Sequence, residues 1–329
     1  MHWSSRTVLI TGASGFIGSQ LTERLVYAGA HVRALIHYNS RNDWGLLELL
    51  PTDVREQTDI LAGDITDGAL VRQAVRGCDV VFHLGALIAI PYSYQAPRQF
   101  IDTNVVGTLN VLQACLEANV EKIVHTSTSE TYGTARYAPI DEAHPLQGQS
   151  PYSASKIGAD KLAESFYCSF DLPVATIRPF NTFGPRQSAR AVIPTIISQA
   201  LTSDTIKLGL LTPVRDLTFV EDTVSGFIKV AESDHSIGEV INIGTGRGVT
   251  MGELAETIIK MFDADKHIVA DEKRMRPEKS EVMALICDNA KAKQLLGWEP
   301  EYTLEQGLHH TIDYIRDNLD RYKPALFNR

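Results

Sequence analysis

The sequence has few cysteines, and they are far apart. Cys78, Cys115, Cys168 and Cys287 have no Cys-x-x-Cys partner and form no Cys/His cluster. Structural zinc sites and disulfide frameworks both need such groupings, so this pattern argues against either one. We therefore expect no metal site, and inert thiols in a reducing compartment, which makes the cytoplasm the expected location.

Long apolar segments are also missing. No stretch of about 18 apolar residues exists, which excludes a transmembrane helix. Residues 1–6 lead directly into a predicted strand and leave no room for the apolar region of a signal peptide. We expect no membrane partner.

Positive charge is in the minority, with 31 Lys and Arg against 40 Asp and Glu, for a formal net charge of -9. A protein without a broad basic surface is a poor ligand for a nucleic-acid backbone, so we expect no nucleic-acid partner. A few local arginines still suffice for one diphosphate. The 329 residues are 44% hydrophobic, which is typical of one large α/β unit or two fused lobes.

Short apolar, β-branched runs alternate with helical patterns in the first half of the chain. The spacing predicts strands at 6–11, 31–36, 59–61, 79–83, 122–126 and 174–177, and helices at 16–28, 99–118 and 153–170. Such alternation predicts an α/β fold, a Rossmann-type doubly wound parallel sheet with helices on both faces.

Predicted strands become sparser after Pro179. The patterns indicate helices at 194–202, 250–262 and 304–318, and one strand at 239–243 that we expect to return to the main sheet. We divide the chain into a lobe at 1–179 and a smaller lobe at 180–329 that closes over the carboxyl edge of the sheet. Because no linker separates them, the lobes should be packed together.

A Gly-x-x-Gly-x-x-Gly turn lies between the first strand and the first helix. Gly12 permits the tight turn, Gly15 lets backbone N–H groups approach a pyrophosphate, and Gly18 lets helix and strand pack closely. A glycine triplet alone is a weak signal, but this one has the required strand–turn–helix context. We expect residues 1–179 to bind a dinucleotide and residues 180–329 mainly the substrate. The predicted turn contacts are Gly12, Ser14, Gly15, Phe16, Ile17 and Gly18.

The end of the second strand bears on the choice of cofactor. An acidic residue there favours NAD, whereas this chain has Tyr38, Asn39, Ser40 and Arg41. Ser40 and Arg41 suit a 2′-phosphate and favour NADP. Alternatively, Arg41 is a solvated loop residue that contacts no ligand. NAD or NADP therefore stays open. Asp64, after the third strand, is suited to the adenine amino group or to a turn or cap.

Tyr152 and Lys156 are four residues apart in a predicted helix and so share one face. We expect the ammonium to lower the pKa of the phenol, which would let it take a proton from a sugar hydroxyl while hydride leaves the same carbon. Thr128 and Glu130 end another predicted strand and would orient that hydroxyl and act as base or acid. Taken alone, the Tyr152/Lys156 spacing also occurs in ordinary helices, and hydroxyl-rich segments such as the one at Thr128 also occur at the ends of ordinary strands.

Together these segments resemble the extended short-chain dehydrogenase/reductase family of nucleotide-sugar epimerases and dehydratases. The resemblance covers essentially the whole chain. It is carried by TGASGFIG (11–18), DVVFHLGA (79–86), DTNVVGTLNVL (102–112), TSTSETYG (126–133), YSASK (152–156), RPFNTFGPRQ (178–187), VRDLTFVEDT (214–223), NIGTG (242–246) and the RPEKSE…LGWEP tail (276–300).

The resemblance implies a tightly held NAD or NADP, a nucleoside-diphosphate sugar substrate, and a homodimer paired through the helices at 99–118 and 153–170. Thr128, Tyr152 and Lys156 then correspond to the catalytic triad, with Lys156 also holding the nicotinamide ribose. It further implies a cofactor pocket that includes Tyr38, Asn39, Ser40, Arg41, Asp64, Ile65, His83, Leu84, Gly85, Ala86, Asn104 and Pro179, and substrate contacts from Asn181, Arg190, Val192, Arg215 and Arg276.

The reaction itself depends on the residues after Thr128. Sugar 4,6-dehydratases usually have Thr-Asp-Glu, and here Ser129 replaces the acidic Asp; a hydroxyl is a poor acid without a relay. Thr-Ser-Glu also resembles UDP-glucuronate decarboxylases. Segments 38–45, 86–94 and 179–195 instead resemble N-acetylglucosamine nucleotide 4,6-dehydratases of legionaminic-acid-type pathways. We expect a 4,6-dehydratase for UDP- or GDP-N-acetylglucosamine, with 4-epimerase and decarboxylase as alternatives.

Overall fold

A computed structural model describes residues 1–262 and 266–323, in which strands and helices alternate along the chain. The strands are β1 (Thr7–Thr11), β2 (His31–His37), β3 (Thr58–Gly63), β4 (Val80–His83), β5 (Lys122–Thr126), β6 (Val174–Pro179), β7 (Asn181–Phe183), β8 (Thr205–Leu208), β9 (Val214–Phe219), β10 (Val240–Ile243), β11 (Gly248–Thr250), β12 (His267–Ala270) and β13 (Ala284–Leu285). The α-helices are α1 (Phe16–Tyr27), α2 (Thr52–Glu56), α3 (Gly68–Val75), α4 (Ile90–Ser93), α5 (Pro97–Phe100), α6 (Gly107–Ala118), α7 (Pro151–Phe170), α8 (Val192–Thr202), α9 (Val220–Glu232), α10 (Met251–Lys260), α11 (Ala290–Leu296), α12 (Leu304–Asp317) and α13 (Leu319–Tyr322).

Seven parallel strands form the main sheet in the order β10-β6-β5-β4-β1-β2-β3. The order reverses direction beside β1, which is the arrangement of a doubly wound sheet. The predicted Rossmann-type α/β fold is therefore confirmed. Ligand crevices of such sheets lie at the carboxyl ends of the strands, where the Gly12 turn and the Thr128 segment both begin.

Both faces of the main sheet are covered, as the alternation within β1 illustrates. Val8 and Ile10 belong to the core on one face, which includes residues of α1 and α9. Leu9 belongs to the core on the other face, with residues of α3 and α6. Burying each such side chain contributes about 1.5–3 kcal/mol, so the strands form a rigid base for the loops at their carboxyl ends.

The second half of the chain both joins the main sheet and builds smaller ones. β10 pairs with β6, and α9 packs against β5 and β6. β9 pairs with β7, β11 and β13, while β8 pairs with β12. The sequence patterns missed these small sheets because the strands are short. In β9, moreover, the polar residues Arg215 and Asp216 are buried and break the apolar signal.

The predicted helical segment at 99–118 is helical throughout, but it is not a regular α-helix. The chain forms α5, a π-helical turn at Ile101–Val106 and then α6. The π turn carries Asn104, whose buried side chain hydrogen-bonds Leu87 and Ser155. Such turns often mark functional sites, because they redirect one side chain. The other predicted helix ends lie within a few residues of the observed ones.

Within the described residues, no helix is both long and apolar enough to cross a membrane.

Candidate active site

The glycine-rich turn has the geometry that its spacing predicts. Gly12 has a φ of +71°, and a Cβ there would lie 2.8 Å from Gly85 N. A Cβ on Gly18 would lie 2.3 Å from Gly12 O, so helix α1 can approach the turn only without a side chain. Strand, turn and helix are therefore held in contact by backbone atoms alone.

The start of α1 suits a dinucleotide pyrophosphate. Its N-cap is Gly15, which supplies no side-chain hydrogen bond, so the N–H groups of the first turn, beginning with Phe16 and Ile17, have no cap. Uncapped N–H groups at a helix N-terminus form a ready anion site. The carbonyl of Ser14 accepts from Leu46 N at 3.1 Å, which packs the loop after β2 against the turn. These residues fit the expected cofactor.

The loop after β2 is organised by Asn39. Its side chain donates to Asp43 O and accepts from the N–H groups of Arg41 and Asp43. Tyr38 and Ser40 are exposed. The Arg41 guanidinium is also exposed and lies 3.8 Å from the Asp43 carboxylate. Asn39 thus shapes the loop, while the exposed side chains beside it are available to a ligand.

Asp64 forms a turn with Thr66. One carboxylate oxygen accepts from both the Thr66 N–H and its hydroxyl, and the other lies 3.8 Å from His37 Nδ1. The cap of α3 is Asp67 instead. Ile65 is buried beside Gly107, where a Cβ would lie 2.7 Å from the isoleucine. The Asp64 carboxylate therefore has a structural role within its own turn.

The segment Leu84–Ala86 is held in place by buried polar side chains. Leu84 N donates to Thr11 O, and Gly85 N donates to Thr11 Oγ1. Both ring nitrogens of His83 are paired, with the hydroxyls of Thr11 and Thr108, and burial holds its pKa well below the usual value. Asn104 is likewise fully engaged. His83 and Asn104 thus position the cofactor-side backbone and have no free group to offer a ligand.

Tyr152 and Lys156 lie on the first turns of α7 because the sequence fixes where that helix begins. Ser150 and Ser153 form a reciprocal capping box, and Pro151 occupies the first helical position. Both site residues are buried, and the Tyr152 ring packs edge-on against Phe100. The phenol and the amine therefore have defined positions beside the exit of β5.

The expected lowering of the Tyr152 pKa is wrong for this structure. Burial raises the pKa of Tyr152; a hydrogen bond with Thr128 lowers it in part, and the charges of Glu130 and Asp160 raise it further. The Lys156 ammonium donates to Thr126 O at 2.6 Å. Burial lowers the pKa of Lys156 to about 8, and Asp160 acts in the opposite direction.

The residues after β5 form a short 3-10 helix, Ser129–Tyr132, capped by Thr128. Thr128 Oγ1 accepts from Glu130 N at 3.3 Å, and the same hydroxyl pairs with Tyr152. Ser129 and Glu130 are both buried. The structure therefore brings Thr128, Glu130 and Tyr152 together, as the sequence patterns predict.

An arginine–glutamate cluster lies beside Glu130. We use this name for Glu130, Arg215, Arg276 and Glu281. Arg276 Nη1 lies 3.9 Å from Glu130 and 3.8 Å from Glu281, and Arg215 Nη2 lies 3.4 Å from Glu281. Arg276 Nη1 is buried without a hydrogen bond. Arg215 Nη1 donates to Val214 O at 3.0 Å and its Nη2 makes only a long contact with Glu281, while Arg276 is held at ion-pair distance, so donors of both guanidiniums remain able to bind an anion.

Glu281 was not predicted as a site residue. It lies in a polar loop that the sequence gives no reason to place near Glu130. Its only signal was its position in the RPEKSE segment, five residues after Arg276.

The remaining predicted substrate residues lie in β7 and around the start of α8, and the predicted cofactor residue Pro179 lies in β6. Asn181 lies in β7, and its Oδ1 is buried without a hydrogen bond. Arg190 is exposed and contacts Ser188 of its own loop, and Val192 begins α8 and packs against the main core. Pro179 ends β6 and is buried. Among the described interactions, Arg190 and Val192 do not join the arginine–glutamate cluster.

Comparison with known proteins agrees with this architecture. The family model described as GDP-mannose 4,6 dehydratase matches residues 9–311. The UDP-glucose 4-epimerase of Mycolicibacterium smegmatis is 33% identical, over 94% of this chain and 98% of its own. The dTDP-glucose 4,6-dehydratase of Streptomyces antibioticus is also 33% identical, over 96% and 94%.

Solved structures give the same picture. The dTDP-glucose 4,6-dehydratase DesIV from Streptomyces venezuelae, solved with NAD bound, is 30% identical with a TM-score of 0.85, over 97% of this chain and all (100%) of that chain. TunA, an NAD-dependent NDP-hexosamine 5,6-dehydratase of tunicamycin biosynthesis, is 26% identical with a TM-score of 0.83, over 95% and 98%.

Proposed function

The chain belongs to the GDP-mannose 4,6 dehydratase family, and from that premise we propose that it is a nucleoside-diphosphate-sugar 4,6-dehydratase. The observation that carries the proposal is that the half-buried Thr128 hydroxyl pairs with buried Tyr152 and with the Glu130 N–H at the carboxyl edge of the sheet. We propose UDP- or GDP-N-acetylglucosamine as substrate. Support comes from the segments 38–45, 86–94 and 179–195 and from the similarity to a hexosamine dehydratase.

The cofactor is NAD or NADP, and it accepts and returns the hydride at the sugar. We propose that the Gly12–Gly18 turn and the start of α1 hold its pyrophosphate, and that Lys156 holds the nicotinamide ribose. The exposed loop at 38–41 would meet the adenosine ribose.

The proposed proton transfers follow from the positions of three side chains. Thr128 orients the C4 hydroxyl, and Tyr152 takes its proton. The resulting C4 ketone acidifies the C5 proton, which Glu130 abstracts, and the C6 hydroxyl leaves with that proton as water. The C5–C6 double bond would then accept the hydride at C6 and a proton at C5, which balances the proton taken from the C4 hydroxyl. Burial raises the pKa of Tyr152 in this structure, so the phenolate needs added stabilisation. We propose that the Lys156 ammonium, four residues along α7, supplies it once the ligands are bound.

We propose that Arg215, Arg276 and Asn181 hold the diphosphate and nucleoside. A guanidinium fork suits phosphate oxygens, and Arg276 lies between the sugar-side Glu130 and the rest of the cluster.

We also propose a cytosolic homodimer through α6 and α7, where the exposed aromatic residues Tyr167 and Phe170 lie beside the two packed helices. Light scattering after size exclusion tests the dimer.

A 4-epimerase is the second candidate. Ser129 replaces the usual acid of 4,6-dehydratases, and the epimerase of Mycolicibacterium smegmatis is as similar, at 33% identity, as the dehydratase of Streptomyces antibioticus. An epimerase uses the same Tyr152 step and returns hydride to the opposite face of C4.

Mass spectrometry separates these reactions. The protein is incubated with UDP- or GDP-N-acetylglucosamine and with NAD or NADP. The proposed dehydratase produces a sugar nucleotide that has lost one water. An unchanged mass with a new C4 configuration by NMR indicates the epimerase instead, and loss of carbon dioxide from UDP-glucuronate indicates a decarboxylase.

The variant that tests the role of the phenol is Tyr152→Phe, which removes only the hydroxyl and keeps the ring and its packing against Phe100. We expect kcat to fall about 100- to 10,000-fold, the usual contribution of general acid–base catalysis, with cofactor affinity little changed. Full activity in this variant would contradict the assigned role of the phenol.

A further inference from the structure

A buried ionic cluster lies next to the proposed catalytic pair, and no step proposed above uses it. Its centre is Asp160, one helical turn after Lys156 on α7. The carboxylate accepts from Ser127 Oγ at 2.5 Å and Arg178 Nη2 at 2.8 Å, and it lies 3.0 Å from His125 Nε2. Arg178 Nε also donates to Ser127 Oγ at 3.1 Å. One carboxylate thus joins β5, β6 and α7.

The cluster is closed to solvent. The side chains of His125, Asp160 and Arg178 are 0%, 5% and 3% exposed. Although burial alone would raise the pKa of Asp160, the hydrogen bond with His125 and the charge of Arg178 hold that pKa well below its usual value. The carboxylate is therefore a permanent negative charge within the fold.

The partners of Asp160 differ from those of another buried carboxylate. Asp222, at the start of α9, accepts from the backbone N–H groups of Glu301 and Tyr302 and so secures a loop. Asp160 pairs only with side chains, and two of them, His125 and Ser127, flank Thr126. The carbonyl of Thr126 accepts the hydrogen bond from Lys156.

We propose that Asp160 is a positioning residue of the reaction centre, which fixes the exit of β5 through Ser127 and His125 and so holds the Thr126 carbonyl in place for Lys156. This inference rests on the proposed function, because that function gives Lys156 and Thr128 their roles. Because the Asp160 side chain is only 5% exposed and its carboxylate is occupied by Ser127, His125 and Arg178, we assign its effect to these neighbours.

The charges around Lys156 give the proposal a pH signature. Tyr152 and Asp160 lie on its own helix, and His83, His125 and Arg178 lie on β4, β5 and β6. Burial keeps the pKa of both histidines low, so they are neutral near pH 7. Burial lowers the pKa of Lys156 and Asp160 raises it. Removing the carboxylate charge therefore lowers the pKa of Lys156, and the ammonium is lost at a lower pH.

The direct test is an NMR titration of the Lys156 side chain, with lysine labelled at Cε and the resonance assigned by Lys156→Arg. We expect Asp160→Asn to move the Lys156 midpoint to lower pH by on the order of one unit, the effect of one nearby opposite charge. The alkaline limb of turnover should move with it. Asp222→Asn, the matched buried carboxylate, should leave the midpoint in place. A Lys156 midpoint that does not move in Asp160→Asn overturns the proposal.

Two further variants keep the test decisive if Asp160→Asn does not fold. Asp160→Asn combined with Arg178→Gln leaves no uncompensated charge, and a downward shift no larger than that of the single variant is expected, because the like charge of Arg178 is removed as well. Asp160→Glu keeps the charge and should keep the midpoint, whereas a shift as large as that of the amide variant would count against the proposal. Because the titration needs no sugar, a protein that titrates as expected but forms no product contradicts the proposed function and leaves the role of Asp160 standing.

Discussion

The glycine-rich turn and the arginine–glutamate cluster are both proposed to meet phosphate groups, but they are built in different ways. The turn uses the backbone of consecutive residues, Gly12 to Gly18, with atoms in direct contact. The cluster uses side chains from the 3-10 helix after β5, from β9 and from the loop before β13. One site depends on the absence of side chains and the other on their charges.

The two sites should therefore respond differently to amino-acid substitutions. Backbone contacts leave no room to relax, so a single added methyl group should disable the turn. The cluster has two positive and two negative groups at 3.4–3.9 Å, so changes in one charge should alter ligand affinity by degrees. Four substitutions test whether the two sites differ in this way.

The largest effect is expected for Gly18→Ala. The new Cβ would lie 2.3 Å from Gly12 O, which forces α1 and the turn apart. We expect a loss of about 3 kcal/mol in the free energy of unfolding, by the usual cost of overpacking, and roughly 100-fold weaker binding of NAD or NADP. Thermal unfolding and calorimetric titration measure the two quantities. The control is Gly252→Ala in α10, where the nearest atom is 3.6 Å away and stability should hold or rise. Wild-type cofactor affinity in Gly18→Ala would show that the turn is not rigid.

A smaller effect, confined to the substrate, is expected for Arg215→Ala. Arg215 is buried beside Glu281, and its loss removes one charge-assisted contact to the diphosphate. We expect UDP or GDP affinity to fall about 10- to 100-fold, in line with 1.5–3 kcal/mol for such a bond, with cofactor affinity retained. Exposed Arg316 on α12, changed to Ala, is the control. Equal losses for cofactor and UDP would mean that the two sites are not separable.

The removal of one cluster carboxylate, in Glu281→Gln, should strengthen binding. Glu281 lies at ion-pair distance from both arginines, so a neutral amide leaves more positive potential for an anion. We expect roughly 5-fold tighter binding of UDP or GDP, about 1 kcal/mol, the energy of two unit charges about 4 Å apart in water, and a weaker gain at high salt. Glu305→Gln on α12 is the control. Weaker binding would instead assign Glu281 to orienting the arginines.

The smallest effect is expected for Arg41→Ala at the rim of the cofactor site. Its exposed guanidinium can meet a 2′-phosphate, which only NADP carries. We expect NADP affinity to fall by up to about 10-fold, typical of an exposed charge pair, and NAD affinity to stay the same. A loss shared by both cofactors would point to a structural role for Arg41 in its loop.

The sequence was most informative where structure is local. The first six predicted strands and the residues of the Gly12 turn were correctly placed, because apolar periodicity and glycine spacing report on neighbouring residues. The π turn at Ile101–Val106 was missed, since it depends on Asn104 reaching Leu87 and Ser155. The small sheets around β9 were missed because their buried polar residues pair with distant segments.

The sequence alone was enough to predict the Rossmann-type fold and the glycine turn, because both rest on local patterns of apolar residues and glycines, and it supplied Thr128, Tyr152 and Lys156 as the proposed catalytic residues. Only the tertiary structure decided that the pKa of Tyr152 is raised, that Glu281 joins Arg215 and Arg276, and that Asp160 ties β5 to α7. Burial and charge act through space, so their effects depend on which remote segments the fold brings within a few ångströms.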